Sequence, residues 1–204
     1  MPTNTFPSYD DPLINDLIST YAQGNHAARV YAEISQAQGW PFVIDHIALR
    51  CLHIETRAQT FLEAGYLFED ETVEYPDQGW WAKVYRKPAH PVAFVDQAYE
   101  DTRGENSIIP SWVKHFGDKN LHHIAVLVGD IEQTMRILKT QGIQFAGEVV
   151  GSSGSRLRQV FTASEVRDGA AYTVLELTER NGYTGFYADQ ANALMESSTQ
   201  KTSE

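Results

Sequence analysis

Apolar positions in the chain switch between a period of two and a helical period, and the switching recurs. Residues 42–52 are apolar and β-prone and predict a strand. Residues 55–64 carry Ala58, Phe61 and Leu62 on one helical face and stop at Gly65, a helix C-terminal signal. Strands are predicted next at 66–75, 80–86 and 91–98, broken by Pro76-Asp77-Gln78-Gly79 and Lys87-Pro88. The order then returns. Residues 121–128 predict a strand. Asp130 is a helix cap with Gln133 as its capping-box partner, and Ile131, Met135 and Leu138 form the apolar face behind it. Further strands are predicted at 144–150, 156–162 and 171–179, with a turn at Gly151-Ser152-Ser153-Gly154-Ser155.

One offset aligns the two halves. Asp45-His46-Ile47-Ala48-Leu49-Arg50 faces His122-His123-Ile124-Ala125-Val126, and His46 and His123 differ by 77 positions (123 − 46). The same offset pairs Ile54 with Ile131, Phe61 with Leu138, Gly65 with Gly142 and Phe68 with Phe145, without a gap. A shared tetrapeptide can arise by chance. A single offset that also aligns a helix face and its terminal glycine indicates a duplicated module. The expected architecture is α+β: two paired βαβββ modules, at 42–98 and 121–180, within one domain spanning 1–204. Outside them lie an amphipathic helical segment at 11–38, a linker at 101–119 with a short helix around Trp112, and a final helix at 185–197. The polar residues 199–204 read as a disordered tail.

Composition narrows the partners. The 204 residues are 42% hydrophobic, ordinary for a globular protein, and carry a net charge of −11. That charge argues against nucleic acid or an anionic membrane surface. The single cysteine, Cys51, excludes an internal disulfide. The first ten residues lack a secretory pattern, and no apolar run is long enough to span a bilayer, so the expectation is a cytoplasmic protein.

The duplication gives the histidines meaning. On a strand, His46, Ala48 and Arg50 share one face, and His123 and Ala125 occupy the matching positions. Two modules paired about a pseudo-twofold axis would aim both imidazoles into one cavity, with the small alanines leaving room. Glu176, mid-strand in Val174-Leu175-Glu176-Leu177, is the expected third ligand, because a carboxylate there is costly to bury unless paired or ligated. Two His and one carboxylate form the donor set of non-haem Fe(II) oxygenases; Zn²⁺, Mn²⁺ or Ni²⁺ are alternatives. In the first module Phe94 or Asp96 falls near the position equivalent to Glu176. A Phe there leaves one site, and Asp96 is the rival carboxylate. His122 replaces His123 if the register slips by one. Either Arg158 or Gln159 reaches the site, since the two alternate. Arg50 beside a metal would hold a carboxylate substrate. Trp80-Trp81 could give one ring to the cavity, and His26, His53, His90 and His115 are assigned to the surface.

At these residues the chain resembles the vicinal oxygen chelate superfamily, which includes glyoxalases, extradiol dioxygenases and 4-hydroxyphenylpyruvate dioxygenase. Within it the likeness is to the 2-oxoadipate dioxygenase/decarboxylase family. It is carried by Asp45-His46-Ile47-Ala48-Leu49-Arg50, by Leu121-His122-His123-Ile124-Ala125-Val126, by the segment from Leu157 to Ser164, and by Val174-Leu175-Glu176-Leu177-Thr178-Glu179-Arg180 followed by Gly185-Phe186 and a helix from Ala191 to Glu196. The resemblance implies Fe(II) at His46, His123 and Glu176, and a substrate carboxylate on Arg50, with Gln159 also facing substrate. The family's reaction converts 2-oxoadipate and O₂ into 2-hydroxyglutarate and CO₂. This chain is shorter than the usual members. A glyoxalase-like isomerase or hydrolase is the alternative and needs a further base, for which Asp96 and Glu179 are the candidates. A non-catalytic module of the same fold is the third reading.

Overall fold

One sheet with two apolar faces organises the molecule. The computed structural model describes residues 6–199. In chain order the elements are α1 (Pro12–Gly24), α2 (His26–Gln38), β1 (Ile44–Cys51), α3 (Ile54–Glu63), β2 (Leu67–Tyr75), β3 (Trp80–Arg86), β4 (Val92–Ala98), α4 (Ile109–Phe116), β5 (Leu121–Leu127), α5 (Ile131–Thr140), β6 (Leu157–Phe161), β7 (Val166–Arg167), β8 (Ala170–Ala171), β9 (Val174–Arg180) and α6 (Ala188–Thr199). Seven strands form the sheet in the order β2-β3-β4-β1-β5-β9-β6, and β7 and β8 make a small separate hairpin.

The order is symmetric about its centre. β1 and β5 pair antiparallel, and each has a parallel neighbour on its far side, β4 and β9. The two modules therefore meet through their first strands, as duplication requires. The fold is α+β, with helices added at both ends. Gly65 and Gly142, matched by the offset, both follow their helices at left-handed φ values of 87° and 85°, a conformation glycine adopts without a Cβ penalty.

The outward face of the sheet carries Ile47, Leu49, Val95, Ile124, Val126, Leu175 and Leu177, packed into one cluster with residues of α1, α2, α3 and α5. Fully burying each of the larger of these is worth about 1.5–3 kcal/mol. The inward face carries Ala48, Ala82, Val84, Phe94, Phe161 and Val174, packed with residues of α4 and α6. The period-two alternation thus separates a helix-covered core from a concave face.

The N-terminal segment resolves into two helices. Asp11 caps α1 by accepting from Leu13 N at 3.0 Å, and Asn25 caps α2 by accepting from Ala28 N at 2.8 Å. Asn25 Nδ2 also donates to Thr173 Oγ1, and Tyr21 Oη donates to the carbonyl of Val174 at 2.5 Å. These bonds tie the segment to the second module. The helix expected around Trp112 is α4.

Two sequence expectations are corrected. Residues 144–150 are not a strand: they form only two isolated bridges, Val150↔Gln159 on β6 and Phe145↔Thr162 just beyond its end. Five steps on one side face three on the other, so no continuous ladder can form. The strand expected at 171–179 divides, because Ala171 belongs to the β7–β8 hairpin and β9 begins at Val174. No described helix is long and apolar enough to cross a membrane. Residues 200–204 of the expected tail lie outside the described residues.

Candidate metal centre

Strand register brings the three expected ligands together. Ala125 pairs with His46 on β1 and with Glu176 on β9, while His123 pairs with Ala48. His46, Ala125 and Glu176 therefore form one row across the concave face, with His123 in the next. His46 Nε2 lies 3.3 Å and His123 Nε2 3.5 Å from Glu176 Oε2. The ligand atoms of all three lie within 4.8 Å of one another, and all three residues are buried. Phe94 pairs with Ala48 as Glu176 pairs with Ala125. A phenyl ring thus occupies the pseudo-equivalent carboxylate position, and among the described residues one cluster of three such donors is found.

Two bulges set the imidazoles. Between Ile44 and His46, β1 advances two residues against one of β5, leaving Asp45 as the extra residue. Between Leu121 and His123, β5 advances two against one, leaving His122 extra. These positions are themselves related by the 77-residue offset. Each bulge residue touches the histidine after it: Asp45 Oδ2 accepts from His46 Nδ1 at 2.8 Å, and His122 Nδ1 lies 3.0 Å from His123 Nδ1. Asp45 is held in turn by Arg180, whose Nε and Nη2 donate to its two oxygens at 2.7 and 2.9 Å. A metal-binding histidine commonly donates its other nitrogen in this way, which fixes its tautomer and basicity.

Glu176 is braced on its other oxygen. Gln159 Nε2 and Thr178 Oγ1 donate to Oε1 at 2.7 and 2.6 Å, leaving Oε2 for the histidines. Gln159 thus reaches the site. Arg158 points away and pairs with Glu132 and Glu179. The electrostatics are those of a cation site. Burial disfavours charge on His46, but the Glu176 and Asp45 carboxylates outweigh it and raise its pKa to about 9. His123, buried with only partial compensation from Glu176 and repelled by His46 and Arg50, falls to about 3. Burial would raise Glu176, yet the two histidines and Thr178 keep it below the usual glutamate value. A proton on His46 here balances the carboxylate, and a metal would take over that balancing charge. Two imidazole nitrogens and one carboxylate oxygen, already converged, fit a divalent transition metal.

The cavity above these ligands has about 30 Å³ of free volume, room for a water or two. Its walls include Tyr75, Trp80 and Phe94, and Phe186 with Ala191, Leu194 and Met195 of α6 form its cover. Trp80 is thus the lining ring of the Trp pair. Asp96 is also in the wall, and burial raises its carboxyl to about 7 against the opposing pull of Arg50 and His46.

Arg50 is not brought to the three ligands. It pairs in register with Asp96, but it lines a second chamber of about 420 Å³ with Trp112, His122, Ser164 and Tyr172, not the cavity holding the ligands. Four residues of extended strand carry it about 13 Å from His46 at the backbone. It is 3% exposed, its Nε has no hydrogen-bond partner, and its guanidinium lies 5.6 Å over Trp112. Glu179 is also remote: it accepts from Ile131 N at the start of α5. His26, His53 and His115 are exposed, as expected, whereas His90 is half-buried with its ring stacked on Tyr9.

Solved structures give the fold its relatives. A protein of Shewanella frigidimarina described as a hydrolase superposes with a TM-score of 0.68 at 22% identity, over 86% of this chain and 96% of the other. A glyoxalase-superfamily protein of Ralstonia eutropha gives 0.68 at 13% identity, over 91% of each chain. A variant of 4-hydroxymandelate synthase from Streptomyces coelicolor gives 0.64 at 22% identity, over 76% of this chain and 54% of that one. The chain has the vicinal oxygen chelate fold. No family model and no curated protein matches its sequence. Within the vicinal oxygen chelate frame, Asp45, Arg180 and Phe186 surround His46, and sequence reasoning assigned a site role to none of them. The Asp45-His46 and His122-His123 pairs were visible as doublets at matched positions. The bulges that aim them depend on pairing with another part of the chain.

Proposed function

We propose that this protein is an Fe(II)-dependent dioxygenase that decarboxylates a 2-oxo acid, similar to 2-oxoadipate dioxygenase/decarboxylase. The observation that supports it is the convergence of His46 Nε2 and His123 Nε2 on one oxygen of Glu176 inside a narrow, mostly apolar cavity. Fe(II) held by these three residues would supply the one-electron chemistry that O₂ requires. The protein's residues do the rest. Gln159 and Thr178 fix which Glu176 oxygen faces the ligands. Trp80, Phe94 and Phe186 exclude water from the reacting atoms. Asp96, protonated or not near neutrality, can hold or move a proton in the cavity wall. Arg50, a buried cation with an unsatisfied donor, would take a remote carboxylate of the substrate in the adjoining chamber, which meets the ligand cavity at the His122–His123 bulge. The partners are then a small 2-oxo acid and O₂, not nucleic acid or membrane.

Protein loaded anaerobically with Fe(II) and then mixed with air and 2-oxo acids tests this directly. Expected are O₂ consumption and CO₂ release in equal amounts, greatest with a 2-oxo acid bearing a second carboxylate. No O₂ uptake with any 2-oxo acid at full iron loading would remove the reading. Asp96 also favours a second one. A buried carboxyl with a pKa near 7 beside the ligands suits the general base of an isomerase or hydrolase using a Lewis-acid metal. Turnover with Zn²⁺ in the absence of O₂ would select it.

A further inference from the structure

Arg180 stands at the end of β9 with every part of its guanidinium in use. Nε and Nη2 hold the two oxygens of Asp45, at 2.7 and 2.9 Å. Nη1 donates to the carbonyls of Tyr183 and Gly185, at 3.1 and 2.8 Å. The guanidinium also lies 4.7 Å over the Phe186 ring. One side of this residue therefore grips the carboxylate that orients His46. The other grips the turn leading into α6.

That turn carries the cover of the cavity. Phe186 meets His46 edge-on at 5.3 Å and Phe94 at 4.7 Å. Just beyond it, α6 spans the open side of the curled sheet, contacting both β2 and β6, and closes the cavity with Ala191, Leu194 and Met195. Gln78 Nε2 reaches across to the carbonyl and Oδ1 of Asn192, at 3.1 and 2.7 Å. Free volume of about 30 Å³ admits no organic acid. A substrate at the ligands must widen the cavity, and the wall formed by Phe186 and α6 is the one joined to Arg180. Movement of Tyr183, Gly185 and Phe186 removes three of the contacts that fix Arg180.

We propose that Arg180 is a positioning residue that couples closure of the cavity to the His46 ligand. This rests on the metal reading above. With the cover closed, Arg180 is immobilised, Asp45 is clamped, and His46 Nδ1–H is held so that Nε2 presents its lone pair to the metal. With the cover open, Arg180 loses its backbone partners and the clamp on Asp45 loosens. Coupling of this kind is reciprocal: if closure tightens metal binding, metal binding must tighten closure by the same factor. The pseudo-symmetric partner supports the assignment by contrast. His123 has His122, not a carboxylate held by an arginine, at the position of Asp45, so the link to the cover runs through His46.

Co(II) affinity, read from its visible absorption against a competing chelator, and amide hydrogen exchange of residues 183–199 test this together. The proteins are the wild-type chain, Arg180→Lys and Asp45→Asn, each checked for an intact cooperative thermal transition. In the wild type, Co(II) should slow exchange across 183–199. Arg180→Lys keeps the charge but not the fork. It should exchange faster without metal, lose the slowing on metal addition, and bind Co(II) about 10–100-fold more weakly. Asp45→Asn should lose a similar affinity yet keep metal-free protection, because Arg180 still holds Tyr183 and Gly185. Wild-type protein that binds no Co(II) ends the metal reading and the coupling with it. Normal wild-type binding, with affinity or metal-dependent protection unchanged in Arg180→Lys, ends the coupling alone.

Discussion

His46 Nε2 and Glu176 Oε2 stand 3.3 Å apart on either side of Ala125, the residue that pairs with both of them. The methyl group at this central position keeps the floor low enough for two imidazoles and a carboxylate to converge above it. Ala48, at the pseudo-equivalent position, gives the same clearance beside His123.

Ala125→Leu should abolish stoichiometric metal binding, because its side chain would fill the space between two ligands. Overpacking of this fully buried position should also cost about 1–3 kcal/mol. Metal analysis and denaturant unfolding measure the two effects. Full occupancy in the variant would place the metal elsewhere.

Asp96 should make the metal-free protein less stable as pH rises. Its pKa is raised from 3.8 to about 7 in the folded state. Between those values the folded protein keeps a proton that the unfolded chain has released, so unfolding becomes easier with increasing pH until it levels above 7. His46, also raised, adds a fall between about 6.5 and 9. Asp96→Asn removes only the first component. The variant should gain on wild type from pH 4 upward, approaching about 4 kcal/mol at pH 8. Urea titrations of chelated protein across this range should show the two curves diverging; parallel curves would mean that Asp96 ionises freely.

Arg50→Met should separate substrate from metal. Loss of charge-assisted hydrogen bonds to a carboxylate should weaken binding of a dicarboxylic 2-oxo acid about 10–100-fold. Metal affinity should not fall, since Arg50 supplies no ligand and its charge only opposes a cation near His123. Calorimetry with and without metal distinguishes the two, and equal binding of mono- and dicarboxylic 2-oxo acids by the wild type would count against the assignment.

Tyr21→Phe should destabilise the protein by about 1–2 kcal/mol. It removes the only hydroxyl donor to the Val174 carbonyl recorded among the described residues and leaves that acceptor buried. Hydrogen exchange should rise first in α1, whose Tyr21 anchors it to β9.

Much of the frame was legible because period-two and helical patterns are local. The repeat showed that β1 and β5 are equivalent, that Gly65 and Gly142 end equivalent helices, and that His46 and His123 face one way; Glu176 followed from the cost of an unpaired carboxylate in the middle of an apolar strand. The strand expected at 144–150 failed for a non-local reason: its sequence suits a strand, but its partner β6 offers too few positions to match it. Arg50 was placed on the correct face of its strand. Alternation does not say how far along that face a cavity extends, and Trp112, from a helix between the modules, encloses Arg50 in a chamber of its own.

The amino-acid sequence by itself determined the duplicated α+β modules, the face each strand presents, and the three side chains able to hold a cation, because these follow from periodicities of a few residues. Tertiary structure decided the rest: bulges at Asp45 and His122, the brace of Gln159 on Glu176, the grip of Arg180 on both Asp45 and the cover, and the separation of Arg50 from the ligands. Each depends on register between strands far apart in the chain. Register is fixed by the packing of the whole sheet, not by any one of its strands.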